Sequence, residues 1–183
     1  MHKAVFLDRD GTIVEDVGYM NSPDQIKFIP GALEAIKLLN QAGYKVIITS
    51  NQAGIARGLL TENVLETINK TIKKRILSYG AFIDGSYYCP HHPDHGVYPY
   101  KESCDCRKPN PGMIKKAKVD HDIDLSQSFM VGDKALDLAS GWNAGTKAVL
   151  VLTGYGKEER EKVSKQPEYV AENLLEAVKW ILD

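Results

Sequence analysis

Ala4-Val5-Phe6-Leu7-Asp8-Arg9-Asp10-Gly11-Thr12 joins a short apolar run to two carboxylates one residue apart. A run of this length reads as a strand buried on both faces. The two acids then stand at its carboxyl end, and Gly11 lets the backbone turn sharply away. In an open α/β sheet that edge is where ligands bind. Alone the pattern is weak, because acidic turns after strands are common. Its weight comes from the rest of the chain.

Short β-branched runs alternate with amphipathic segments along the sequence. Strands are predicted at 4–7, 44–49, 129–132 and 147–151, with a weaker one at 85–88. Helices are predicted at 31–41, 61–79, 112–119, 134–144 and 172–182. In the second helix Val64, Ile68, Ile72 and Ile76 recur every fourth position with Leu65 beside them, Thr61 caps the start and Gly80 ends it. Strands alternating with helices require parallel crossovers, hence a three-layer, Rossmann-like α/β sandwich with a mainly parallel sheet. Residues 1–183 read as a single domain, with two irregular stretches at 15–29 and 89–111.

A net charge of −1 argues against nucleic acid or an anionic membrane as the main partner. No apolar stretch approaches a membrane span, and the N-terminus does not resemble a signal peptide. A cytoplasmic monomer acting on a small molecule is the expectation.

The second strand runs into Ser50-Asn51-Gln52-Ala53-Gly54. A small hydroxyl followed by a glycine-containing turn suits a phosphate oxygen, although a hydroxyl-capped turn would look the same. The strand at 129–132 ends in Gly132-Asp133-Lys134, where Asp133 alone could be a helix cap and Asp137 a solvated helix face. The case rests on convergence. Three strand ends bring Asp8 and Asp10, Ser50, and Asp133 to one edge of one sheet. Crowded carboxylates need a cation or protons, and an all-oxygen ligand set favours Mg²⁺. Mg²⁺ beside carboxylates and hydroxyl donors points to phosphoryl chemistry.

Asp8-x-Asp10-Gly11-Thr12, Ser50, Lys108 and Gly132-Asp133 resemble, in order, the four motifs of the haloacid dehalogenase superfamily of phosphatases. The resemblance implies Asp8 as nucleophile and Asp10 as general acid/base. It also implies Ser50 and Lys108 as holders of the transferring phosphoryl group, and Mg²⁺ held by Asp8, Asp133 and the Asp10 carbonyl. Only 40 positions separate Asp10 from Ser50, which leaves no space there for a cap domain. The fold is therefore expected to be nearly capless.

Cys89-Pro90-His91 and Cys104-Asp105-Cys106 form two pairs separated by 12 residues. Three sulfurs and an imidazole suit a closed, tetrahedral, structural Zn²⁺ in a loop spanning 89–106. By chemistry alone His92 or His95 could replace His91. Cys106 leads directly into Arg107-Lys108-Pro109, so a metal that fixes the loop also fixes two cations near the phosphate.

Two families share this core and a Cys-x-His…Cys-x-Cys-Arg-Lys-Pro loop: heptose-bisphosphate phosphatases and histidinol-phosphate phosphatases. The chain is more similar to the first, through Asp16-Val17-Gly18-Tyr19, Asn51-Gln52-Ala53-Gly54-Ile55-Ala56-Arg57-Gly58, Tyr87-Tyr88-Cys89-Pro90-His91-His92-Pro93 and Cys104-Asp105-Cys106-Arg107-Lys108-Pro109. That resemblance implies substrate contacts from Asp16, Val17, Gly18, Tyr19, Ser50, Asn51, Gln52, Ala53, Arg107, Lys108 and Lys134. Ser50 stands where that family more usually has threonine, and Ala53 where serine is common. A guanidinium such as Arg107 suits a second phosphate. Histidinol phosphate would need carboxylates, for which Glu15 and Asp16 in the segment after the first strand are the candidates; action on a broader range of sugar phosphates is the other alternative.

Overall fold

A computed structural model describes residues 1–183 as one six-stranded sheet between two helical layers. The strands are β1 (Ala4–Leu7), β2 (Lys45–Asn51), β3 (Gly85–Cys89), β4 (Phe129–Gly132), β5 (Lys147–Val151) and β6 (Tyr169–Ala171). Their order is β3-β2-β1-β4-β5-β6, and every pairing is parallel. The chain starts in the middle of the sheet, winds outward to β3, and returns through β4 on the other side of β1.

The helices are α1 (Ala32–Gln41), α2 (Glu62–Ser78), α3 (Gly112–His121), α4 (Ala135–Ala144), α5 (Gly156–Glu159) and α6 (Leu174–Leu182). Side-chain alternation in the strands sorts them into layers. Val5 and Leu7 of β1 enter the large core with Ile36 and Leu39 of α1, Ile68 and Ile72 of α2, and Val178 and Ile181 of α6. Ala4 and Phe6 face the opposite layer, where Ile114 and Ala117 of α3 meet Ile47 and Met130. Leu138 of α4 packs on Ala148 and Leu150 there. No helix is long and apolar enough to cross a membrane.

The expected three-layer architecture is present, with two additions and one shift. Strand β6 is three residues long at the sheet edge, and α5 is a single turn, so neither carries enough periodicity to be read from sequence. Strand β2 runs on to Asn51 because β3 pairs with it that far, setting Ser50 opposite Tyr88 and Asn51 opposite Cys89. Ser50 and Asn51 therefore lie within the strand, where their positions are held by ladder hydrogen bonds. In α2, Leu65 is fully buried and Val64 only partly, a slight rotation of the expected stripe.

Besides the turn after β2, two segments stand at the carboxyl edge of the sheet between β1 and α3. One is a hairpin-like flap, in which Val14 bridges to Phe28 and the Glu15 N–H donates to the Lys27 carbonyl at 2.9 Å. The other is the cysteine loop after β3. No cap domain covers the site.

Candidate active site

Parallel pairing brings the ends of β1, β2 and β4 side by side, and their polar residues converge on one cavity of about 550 Å³. Asp8, Asp10, Ser50, Asn51, Gln52, Ala53, Arg107, Lys108 and Lys134 line it, with Asp16, Gly18 and Tyr19 reaching in from the flap. Val17 is not among the lining residues; its side chain is exposed.

The floor is an ionic cluster. Lys108, buried, places its Nζ 2.6 Å from Asp8 Oδ1, 2.6 Å from Asp137 Oδ1 and 2.9 Å from the Thr49 carbonyl. Its hydrogen bonds go to Asp8 and the Thr49 carbonyl, and Asp137 is its second ion-pair partner. Burial pulls the Lys108 pKa down, but Asp137 and Asp8 outweigh it and push the value up to about 12. Asp8 is raised, chiefly by burial and then by Asp137, against the pull of Lys108.

Asp133 is fully buried behind Asp8. Its Oδ2 accepts the Tyr155 backbone N–H at 2.9 Å, whereas its Oδ1 has no partner. A side chain at Gly11 or Gly154 would collide with this carboxylate, and Gly11 also has φ +86°, so glycine is required there twice over. Burial, followed by the charges of Asp8 and Asp137, pushes the Asp133 pKa up to about 8. Carboxylate oxygens of Asp8, Asp133 and Asp137 all lie within 4.8 Å of one another. An orphaned buried oxygen among three crowded acids is the signature of a hard-cation site.

Asp10 is held from two sides. The Arg9 guanidinium lies alongside it, with Nε 3.1 Å from Oδ1 and Nη2 2.8 Å from Oδ2, and Gln52 Nε2 donates to Oδ2 at 3.0 Å. The same Gln52 nitrogen donates to Ser50 Oγ at 2.7 Å. Burial raises the Asp10 pKa while Arg9 opposes the rise.

Cations occupy the upper wall. Lys134 Nζ is 2.9 Å from Asp16 Oδ2 and sits 4.7 Å from the centre of the Tyr155 ring. Arg107 Nη1 donates to the His91 carbonyl at 3.1 Å. The Lys108 backbone is clamped to the end of β2: its N–H donates to Asn51 Oδ1 at 3.0 Å, and Asn51 Nδ2 donates back to its carbonyl at 3.2 Å.

Beside the cavity the four cysteine-loop ligands meet. Cys104 Sγ lies 3.5 Å from Cys89 Sγ and 3.1 Å from Cys106 Sγ, while His91 Nδ1 lies 3.5 Å from Cys106 Sγ. These separations are too long for a disulfide and fit sulfurs gathered around one ion. The structure also separates the histidines. His91 turns Nδ1 to the sulfurs and Nε2 to Glu102 at 3.2 Å, an outer carboxylate of the kind that orients metal-ligating imidazoles. His92 Nδ1 instead accepts the backbone N–H groups of Asp94 and His95.

Sequence reasoning missed two members of this constellation. Asp137 is no solvated face: it is 1% exposed and pairs with Lys108. Its spacing of one helical turn from Asp133 was the available signal. Arg9, also 1% exposed, was hidden because an arginine between two acids ordinarily reads as a solvated charge.

An α/β sheet with strand-end aspartates around a buried lysine defines a phosphatase of the haloacid dehalogenase type. A HAD-hydrolase-like family model matches residues 105–177. The chain belongs to the family of the D-glycero-beta-D-manno-heptose-1,7-bisphosphate 7-phosphatases. It is 43% identical to the Pasteurella multocida member over 99% of this chain and 97% of that protein. It is 45% identical to the Escherichia coli K12 member over 82% of this chain and 80% of that protein. In structure it is similar to a D,D-heptose 1,7-bisphosphate phosphatase from B. bronchiseptica crystallised with magnesium and phosphate. That likeness has a TM-score of 0.89 at 34% identity, covering 98% of both chains.

Proposed function

We propose that residues 1–183 work as one Mg²⁺-dependent phosphatase unit. It removes the C7 phosphate of D-glycero-D-manno-heptose 1,7-bisphosphate, in the beta form for which the relatives are named. One observation carries this reading. A single cavity has an acidic, lysine-bearing floor suited to the reacting phosphate and a separate cationic wall, Arg107 and Lys134, suited to a second one. Histidinol phosphate is the weaker fit, because its ammonium would meet Arg107; Asp16 is paired with Lys134, Glu15 does not line the cavity, and the carboxylates left to it there are Glu158 and Glu159 of α5.

In this mechanism Asp8 attacks phosphorus, the bond from phosphorus to the sugar oxygen breaks, and Asp10 gives its proton to that oxygen. Asp10 then takes a proton from the water that attacks the aspartyl phosphate, so free phosphate leaves and both acids are restored. Lys108 and Ser50 offer a charge and a hydroxyl to the non-bridging oxygens. Asp8, Asp133 and the Asp10 carbonyl would hold Mg²⁺, whose charge offsets the repulsion between a carboxylate and a phosphate dianion. Cys89, His91, Cys104 and Cys106 would hold Zn²⁺ with no position left open, a structural role.

Substrate choice is tested at Arg107. Arg107→Ala is expected to lower kcat/KM on the heptose bisphosphate about tenfold to a hundredfold, the worth of a charge-assisted hydrogen bond, with little effect on p-nitrophenyl phosphate. Equal losses on both would assign Arg107 to the reacting phosphate or to the fold. A higher kcat/KM on histidinol phosphate than on the bisphosphate would move the enzyme to the other substrate class.

The acidic floor makes a second prediction. The Asp133 pKa rises from 3.8 to about 8 in the metal-free fold, so that fold binds an extra proton between those values. Its stability should therefore fall as pH rises from about 6 to 8. Mg²⁺ needs the ionised carboxylate, so the metal should raise Tm more at pH 8 than at pH 6. Thermal melts with and without Mg²⁺ check this, and Asp133→Asn should lessen the slope, part of which Asp8 and Asp10 keep, and abolish the metal response. A metal response independent of pH and of Asp133 would place the cation elsewhere.

A further inference from the structure

We propose that Arg9, backed by Asn69 of α2, is the positioning residue for Asp10: it fixes the plane of that carboxyl and so governs proton delivery to a poor leaving group. This rests on the reading of Asp10 as general acid.

Arg9 has an unusual setting. It is 1% exposed just beyond β1, and each of its three guanidinium nitrogens has a partner. Two nitrogens of its fork face the two oxygens of Asp10, at 3.1 and 2.8 Å, and Nη1 donates to Asn69 Oδ1 at 3.1 Å. A buried arginine needs a paired charge and hydrogen-bond partners to be tolerated, and Asp10 and Asn69 supply them here, so each contact restrains the other. Gln52 supplies the opposite restraint on Asp10, and it alone also touches Ser50. The Asp10 carboxylate is thus held by Arg9, which Asn69 of α2 backs, and by Gln52 just beyond β2. General acid catalysis requires the donor within hydrogen-bond reach and in line with the leaving oxygen, so loosening one grip costs rate through geometry. Asn69 never reaches the cavity, which makes it the means of testing Arg9 without touching the substrate.

The step in question transfers one proton from the Asp10 carboxyl to the departing oxygen as the bond to phosphorus breaks. Its importance depends on the leaving group. Phenol, with a pKa near that of tyrosine at about 10, leaves poorly without a proton. p-Nitrophenol leaves readily as its anion. The measurement is kcat/KM, which reports events through loss of the leaving group, for the Mg²⁺-loaded full chain on phenyl phosphate and p-nitrophenyl phosphate.

Asn69→Leu, which keeps the size and removes the acceptor, should lose about tenfold on phenyl phosphate and less than about twofold on p-nitrophenyl phosphate. Asn69→Asp retains the acceptor and should restore the ratio. Arg9→Lys keeps the charge but loses the fork, and should show the same bias more strongly. Asp10→Asn is run beside them. If it shows the leaving-group bias and folded Asn69→Leu and Arg9→Lys do not, the positioning role is overturned while Asp10 keeps its role. If Asp10→Asn itself lacks the bias, the general-acid reading fails and the proposal with it.

Discussion

Asp8→Asn protein is expected to fold, to bind Mg²⁺ weakly, and to release phosphate at least about 10⁴-fold more slowly than the parent, as nucleophile deletions do when the remaining groups act as a unit with it. The amide keeps the shape of the side chain, so the loss belongs to chemistry. Stability supplies the second half of the expectation. Asp8 is buried and its pKa is raised, by burial first and also by Asp137, so its charge opposes the metal-free fold despite Lys108 at 2.6 Å. Neutralising it leaves Lys108 with Asp137 and the Thr49 carbonyl. The metal-free variant should therefore melt no lower than the parent. Calorimetry together with a phosphate-release assay on p-nitrophenyl phosphate tests both halves. Appreciable turnover by folded Asp8→Asn protein would remove the aspartyl-phosphate intermediate from the mechanism.

Asp8 is legible in the sequence because so much of this site is local. A continuous apolar run ending in Asp8-Arg9-Asp10-Gly11 has few ways to be a strand and only one end from which to present its acids. The parallel order of the sheet then aligns Ser50 and Asp133 with them, because βαβ crossovers place all the carboxyl ends together. What stayed hidden was set by tertiary packing. Asp137 on α4 is buried because Lys108, from the loop before α3, neutralises it together with Asp8. Arg9 looked like any charged residue until Asn69, 60 positions later, closed around it. The choice among His91, His92 and His95 needed geometry for the same reason: adjacent histidines differ in where the loop points them, and Glu102 and the Asp94 backbone decide it.

Removing the cysteine-loop metal should have the largest effect on stability, and an uneven effect on activity. Structural zinc in small sites contributes roughly 10–16 kcal/mol of apparent binding energy, and a loop of this composition has little apolar core to replace it. Cys89 is tied to β3 and, through register, to Asn51. Cys106 leads into the two cations. Those cations are not anchored alike. Lys108 keeps its reciprocal bonds to Asn51 and its ion pairs whatever the loop does. Arg107 has Cys106 as its chain neighbour and the His91 carbonyl as its hydrogen-bond partner, both within the ligand set. Cys106→Ser, or chelation with the cysteines kept reduced, should thus lower kcat/KM on the heptose bisphosphate by about a hundredfold, the cost of a misplacement near 1 Å. The loss on p-nitrophenyl phosphate should be smaller, and the Mg²⁺ requirement should not change. Elemental analysis of the parent protein should find one zinc per chain. Metal-free, reduced protein that uses both substrates at the parent rates would break the link between the loop metal and Arg107; equal losses on both would extend the metal's reach to Lys108 and the floor.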